Sequence, residues 1–333
     1  MASPAIIPLD AIQSAPIDLT TSFDSSQISG STILITGGAS GLGAAFAHHW
    51  ASLGANIIIG DVNQPLSERL IAGLRSQTSN SNHHFIPLDV TSWTSQLSFF
   101  EEAVRLSPTG GIDCVVANAG INLAEESLTF EKPPDYHGQL VTTSQGKKLA
   151  PPAPPQFKTV DVNLTGVLYS SHLAHAYLPL NPGSTKCNPN PHPGPATSFK
   201  SEAANKDRHL LLIASIAGLW PLPNQTLYSV SKHAVVGLFR SLRVTSPVRH
   251  GIRVNMLCPY FTATPILGTA GKVMLSGAAL TEMRDVVAAA TRLVADRTVV
   301  GRGWLSARGG GGRRISGRFR WGGRERRLGG ICA

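Results

Sequence analysis

Ser31 to Thr36 is a short apolar run rich in β-branched residues. It leads without a break through Thr36-Gly37-Gly38-Ala39-Ser40-Gly41-Leu42-Gly43 into the helix-like stretch Leu42 to Leu53. A strand that passes through a glycine-rich turn straight into a helix leaves few folds open to the rest of the chain. In that setting small residues let the backbone close on a pyrophosphate, and the positive end of the helix attracts its charge. Without such flanks the same glycines would mark only a tight connection.

The pattern then repeats. Asn56 to Gly60 is a second buried strand ending at Asp61, and Pro65 to Ser76 a second helix. Phe85 to Leu88 is a third strand ending at Asp89, Trp93 to Leu106 a helix, and Ile112 to Ala117 a fourth strand. Phe157 to Leu178 reads as one long helix, after which His209 to Ala214, Tyr228 to Val244 and Ile252 to Leu257 resume as strand, helix and strand. Continuously apolar strands alternating with amphipathic helices predict an α/β fold. The expected form is a doubly wound parallel sheet of the Rossmann kind, in one domain, with helices on both faces. Ligands of such sheets lie beyond the carboxyl ends of the strands.

Two further features bear on chemistry. Asp61 ends the second strand 18 residues after Gly43, where a carboxylate accepts hydrogen bonds from an adenosine ribose and repels a 2′-phosphate. The turn and Val62, Asn63 and Gln64 contain no Arg or Lys, so NAD is favoured over NADP. Tyr228 and Lys232 stand at i and i+4 of a helix-like segment, on one face. An ammonium beside a phenol whose ordinary pKa is about 10 favours the phenolate. Tyr228 is therefore a candidate general base for alcohol oxidation and general acid for carbonyl reduction. Taken singly each is ambiguous, because a strand-end Asp also caps turns and a Tyr-x-x-x-Lys is a common surface pair.

Read together, the ordered motifs from about Ile33 to Val300 resemble the short-chain dehydrogenase/reductase superfamily in its NAD-dependent form. The resemblance is carried by the Thr-Gly-x-x-x-Gly-x-Gly turn, Asp89-Val90, Asn118-Ala119-Gly120, Asp161-Val162-Asn163, and Ser215 standing 13 residues before Tyr228. It implies an oxidoreductase that interconverts a secondary alcohol and a ketone, with Asn163, Ser215, Tyr228 and Lys232 as catalytic residues. By that similarity Ser215 bonds the substrate oxygen, Lys232 holds the nicotinamide ribose and tunes Tyr228, and Asn163 orders a water that links Lys232 to solvent. Cofactor contacts are expected from Gly37, Ser40, Gly41, Leu42, Gly43, Asp61, Asp89, Val90, Asn118, Ala119, Gly120, Tyr228, Lys232 and Thr264, with Asp89-Val90 at the adenine and Thr264 at the carboxamide. Family members usually place Gly after the Pro of Cys258-Pro259-Tyr260. Tyr260 there resembles the branch containing 15-hydroxyprostaglandin dehydrogenase and fungal secondary-metabolism dehydrogenases. Trp220, Pro221, Tyr260 and Phe261 suggest an apolar substrate pocket.

Composition settles the remainder. With 42% hydrophobic and 15% charged residues the chain can bury a sizeable core. The formal charge of +9 is almost all at the end, since Arg302 to Ala333 hold nine Arg and one Glu, leaving a nearly neutral body. Residues 1–30 are expected to be a flexible leader, 31–301 the catalytic domain, and 122–156 and 181–207 surface insertions without sustained period. No final strand is recognisable beyond Val299-Val300-Gly301. Ten Gly and eight Arg among the last 31 residues predict disorder, or a stretch from a misassigned reading frame or intron. Alternative readings are RNA binding through this tail and a nucleotide-binding scaffold without turnover. Four scattered cysteines show no metal-ligand spacing, so no metal is expected. Reduced thiols and the lack of a signal-peptide pattern predict a cytoplasmic enzyme of small molecules. The long helices imply a homo-oligomer by resemblance.

Overall fold

Alternation along each strand decides which face of the sheet a side chain meets. In β1 (Thr32–Thr36), Leu34 packs with Ile58, Val115, Leu212 and Phe99, whereas Ile33 and Ile35 pack with Ile57, Ile59, Val116 and Trp50. Two cores therefore lie on opposite faces of one sheet in the computed structural model. It describes residues 13–18, 21–132, 140–143, 146–149, 154–187, 206–267, 280–308 and 314–318.

The strands are β1, β2 (Asn56–Asp61), β3 (His84–Pro87), β4 (Cys114–Ala117), β5 (Leu140–Thr143), β6 (Gly146–Leu149), β7 (His209–Ile213), β8 (Arg253–Pro259), β9 (Gly303–Arg308) and β10 (Arg314–Arg318). The main sheet runs β10-β9-β8-β7-β4-β1-β2-β3. Its members from β3 to β9 are parallel, and β10 is antiparallel to β9. One face carries α3 (Trp93–Leu106), α6 (Gly166–Tyr177) and α7 (Thr226–His250). The other carries α1 (Gly41–Ser52), α2 (Gln64–Thr78) and α8 (Met283–Ala295). This is the doubly wound architecture expected from the sequence, with the chain order reversing between β1 and β4, where such sheets open a crevice.

Three expectations change. Residues 302–308 do not leave the fold: β9 pairs with β8 from Met256↔Gly303 to Pro259↔Ser306, and Leu305 and Ser306 are buried. The sheet thus extends past the expected boundary at 301. Trp304 and Leu305 supply the apolar alternation that the surrounding Arg and Gly obscured. The described part of the leader also docks, because Ser14 exchanges hydrogen bonds with Val300 and Ile28 is fully buried. Within 122–156 the chain forms α4 (Ala124–Glu131) and the β5-β6 hairpin instead of unpatterned loop. Residues 188–205 of the second insertion, and 309–313 and 319–333 of the tail, lie outside the described residues.

Candidate active site

Thr36 ends β1 with its hydroxyl turned to β4, where it accepts the amides of Asn118 and Ala119, each at 3.1 Å. Asn118 returns the contact, its Nδ2 donating to the carbonyls of Thr36 at 2.9 Å and Gly37 at 3.0 Å. This lock holds the two strand ends on either side of the crevice. Gly37 takes a left-handed φ of 65°. At Gly43 a Cβ would stand 2.3 Å from the Gly37 carbonyl oxygen, so only glycine lets α1 start this close to the turn. Ser40 is the exposed N-cap of α1 and makes no side-chain cap bond, and the first turn of α1 has no acidic residue. A helix start with an uncommitted hydroxyl and positive end suits a diphosphate.

Asp61 stands beside this turn at the end of β2. Its Oδ2 accepts the Ala39 amide at 3.0 Å and its Oδ1 the Asn63 amide at 2.9 Å. Both oxygens retain lone pairs for a ribose hydroxyl. The two remaining adenine-side positions differ in character. Asp89 is exposed and spends its carboxylate on the Thr91 amide and hydroxyl, starting the turn into α3. Val90 is buried against Gly166.

The candidate reactive groups meet beyond β7. Ser215 follows that strand and caps a short 3-10 turn, accepting the Ala217 amide at 3.1 Å. Tyr228 is the third residue of α7, one face of which it shares with Lys232, whose Nζ lies 5.8 Å from the centre of the phenol ring. All three are at least nine-tenths buried, and the Ser215 hydroxyl stands close enough to Tyr228 to lower the pKa of its phenol. Asn163 lies in a π-helical turn (Asp161–Thr165) between α5 (Lys158–Val160) and α6. Such one-turn bulges re-aim side chains inside a helix. A Cβ on Gly120 would come within 3.2 Å of Asn163 Oδ1 and 3.4 Å of Lys232 Nζ, so this glycine keeps the space between them open.

The electrostatics depart from the sequence reading. Burial raises Tyr228 above its ordinary value of 10, and the Ser215 hydrogen bond only partly offsets it. Lys232 is pushed down to about 8 by burial, and its Nζ, which lies over the phenol ring, also donates to the Ile213 carbonyl at 3.1 Å. The protein alone thus holds the phenol protonated. Asn163 makes three side-chain hydrogen bonds. It is fully buried, with Oδ1 accepting the Ile121 amide and Nδ2 donating to the Ile121 carbonyl and to Ser231 Oγ. It braces the Gly120-Ile121 loop against α7.

Thr264 is buried, and its β-carbon would lie 3.8 Å from a Cβ on Gly41, so the segment after β8 reaches across to the glycine turn. Tyr260 packs edge-on to Phe261 with centroids 4.9 Å apart, and its amide donates to the Ser306 carbonyl. Trp220 is half exposed. Two residues with roles here were not singled out from the sequence. Thr36 opens the glycine turn in the sequence, but its role shows only once its hydroxyl is seen bridging strands. Ser231 sits inside the Tyr-x-x-x-Lys, and only the fold shows that it accepts from Asn163. Among the described residues no group of three or more His, Cys, Asp or Glu is placed to hold a metal.

A family model described as short chain dehydrogenase matches residues 31–182 and 202–274. The chain is 35% identical to a protein of Dothistroma septosporum named 5'-hydroxyaverantin dehydrogenase, over 82% of this chain and 80% of that one. It is 30% identical to the NADP-dependent dehydrogenase M3 of Phoma sp., over 88% of this chain and 79% of that one. The structure resembles that of levodione reductase, with a TM-score of 0.61 at 22% identity, covering 84% of this chain and 96% of that one.

Proposed function

The chain belongs to the short chain dehydrogenase family, acts as an oxidoreductase on CH–OH groups of small molecules with a nicotinamide cofactor, and on that premise we propose how it does so. Tyr228 passes the proton to or from the substrate oxygen, and Ser215 donates a hydrogen bond to the same oxygen. Lys232 and Asn163 support Tyr228, and NAD is the cofactor. The observation that carries this reading is the buried cluster itself. A buried Ser hydroxyl close enough to a buried Tyr hydroxyl to lower its pKa, with an ammonium one helical turn away, makes a proton-transfer site. The cofactor, when bound, gives or takes the hydride.

For ketone reduction, the protonated phenol is already the acid required. For alcohol oxidation Tyr228 must lose its proton, and burial opposes this. Positive charge from Lys232 and from the oxidised cofactor offsets that cost. Ser215 accepts from the Ala217 amide, which orients its hydroxyl and leaves its proton for the substrate oxygen. Ser40, the backbone from Gly37 to Gly43, and Asn118 to Gly120 would line the diphosphate and nicotinamide side, with Thr264 at the carboxamide.

Asp61 supports NAD, because a carboxylate at the end of β2 beside the glycine turn would repel a 2′-phosphate and no basic residue lies in the turn or at Val62 to Gln64. A similar protein named NADP-dependent makes this the point to measure first. The relative named for 5'-hydroxyaverantin supports a hydroxylated secondary metabolite as substrate. Unpaired Cys114, Cys187 and Cys258 support a reducing, cytoplasmic setting. Exposed Leu168, Val230 and Val248 on α6 and α7 support a homo-oligomer. Among the described residues no helix is long and apolar enough to cross a membrane.

Titration with NAD and NADP, coupled to a panel of secondary alcohols and read by absorbance of the reduced nicotinamide, tests the whole reading. We expect NAD-linked turnover that Tyr228→Phe lowers at least about a thousandfold while nucleotide binding persists. Turnover surviving in Tyr228→Phe would remove Tyr228 from the mechanism, and a preference for NADP would overturn the role given to Asp61.

A further inference from the structure

The helix that carries Tyr228 begins without a cap of its own. Gln225, which precedes α7, makes no side-chain bond to its first turn, and α5 begins in the same way after Phe157. Every helix start leaves such amides without partners inside the helix. Here α4 supplies them from outside. The Ser127 hydroxyl, 1% exposed, accepts the Leu227 amide at 3.2 Å, and Glu131 accepts the Thr226 hydroxyl. One residue before Ser127, the Glu126 carboxylate accepts the amides of Lys158 at 3.0 Å and Thr159 at 2.9 Å. Just upstream of α4, Asn122 donates to Gln225 at 3.2 Å.

Two adjacent side chains therefore cap, across space, the two helices that bring Asn163 and the Tyr228-Lys232 pair together. We infer that Ser127 and Glu126 are positioning residues of the reaction, holding the first turn of α7 in place against α5 and so fixing the phenol of Tyr228 relative to Lys232. The inference rests on the roles proposed above for Tyr228 and Lys232.

The two ends of that pair are held unequally. Tyr228 is the third residue of α7 and lies within the turn that frays when a cap is lost. Lys232 lies one turn further in and is anchored on the Ile213 carbonyl. Loosening the first turn thus separates phenol from ammonium instead of moving both. With less positive charge beside it the phenolate is harder to form, and the rise of alcohol oxidation with pH moves to higher pH.

The test compares full-length wild type with Ser127→Ala, Ser127→Thr, Glu126→Gln and Tyr228→Phe. Oxidation of the best secondary alcohol of the panel is followed across pH, NADH affinity by fluorescence, and exposure of the Leu227 amide by hydrogen exchange. Ser127→Ala should exchange faster at Leu227, bind NADH within about twofold of wild type, and lose about tenfold in kcat with little change in KM. Its kcat profile should move up by about half a pH unit. Ser127→Thr keeps the hydroxyl and should restore the profile, and Glu126→Gln should show the same shift more weakly. A Ser127→Ala profile superimposable on wild type overturns the inference, as does loss of activity and NADH affinity together without displacement, which marks a purely structural residue. Should Ser127→Ala not fold, Ser127→Cys, nearly isosteric and a weaker acceptor, carries the same comparison. Full activity in Tyr228→Phe would instead sink the underlying assignment, whereas an inactive Tyr228→Phe beside an unshifted Ser127→Ala overturns this inference alone.

Discussion

His83 shows how a single side chain imposes a pH limit on this fold. It is fully buried, its Nδ1 accepts the Ile57 amide at 3.2 Å, and its Nε2 pairs with the Thr78 hydroxyl, which itself donates to Leu74. That geometry admits only the neutral ring, since protonation would set a second donor against the Ile57 amide. Burial, with Arg75 and His84 adding charge of the same sign, lowers the ring from 6.5 to about 4. Because the folded value is depressed, the unfolded chain takes up the proton first. Stability is therefore complete above pH 6.5 and is lost as pH falls from there toward 4. Buried His209, depressed by burial and Arg253, acts in the same direction. Urea unfolding at pH 7.5 and pH 4.5 should show a loss of about 3 kcal/mol at most from His83, and His83→Gln should flatten the dependence by about one proton. An unchanged slope in His83→Gln would remove this residue as the cause. The candidate catalytic residues follow the same physics with different signs, because burial holds Tyr228 protonated and brings Lys232 toward neutrality.

At the scale of elements, the candidate reactive groups lie at the carboxyl ends of the strands and the stabilising charges at the opposite ends. Arg253 begins β8 with no exposed side-chain surface, pairs with Asp207 and donates to the carbonyls of Leu293 and Val294 at the end of α8. It thereby ties β8 to the last turn of α8, where orphan carbonyls welcome a cation. Asp113, at the start of β4, is raised by burial and shares the same region through the Asp207 amide and Asn181. Arg253→Met should destabilise the protein by about 3 to 5 kcal/mol, because it strips the partly buried Asp207 carboxylate of its counter-ion and removes a donor from two helix-end carbonyls. Denaturant unfolding of the variant measures this, and a loss under about 1 kcal/mol would show that water replaces the guanidinium. The strands and long helices were legible in the sequence because apolar runs and a helical period report burial directly. Helix α4 was not. Its eight residues carry little apolar pattern, and its stability comes from the helix ends it caps.

Across the whole molecule, the segment from 299 to 308 completes the parallel part of the sheet. Val300 bonds to Ser14, the Met256 amide donates to the Arg302 carbonyl and the Tyr260 amide to that of Ser306, so the segment from 299 to 308 closes the β8 edge. A chain ending at Val300 exposes that edge together with Phe239, Met256 and Cys258, and removes Trp304 and Leu305. It should lose about 5 kcal/mol, or roughly 8 to 10 °C in Tm, relative to a chain ending at Arg308. Equal melting of the two chains would show that β9 contributes no stability. The amino-acid sequence by itself determined the parallel α/β architecture, the glycine turn and the order in which Asn163, Ser215, Tyr228 and Lys232 come, because local periodicity and spacing are properties of neighbours along the chain. Tertiary structure alone decided that the arginine-rich end supplies a strand, that Lys232 turns to a carbonyl, and that Asn163 braces a loop. Each of these depends on which partner a polar group finds once water is excluded, and that partner lies tens of residues away.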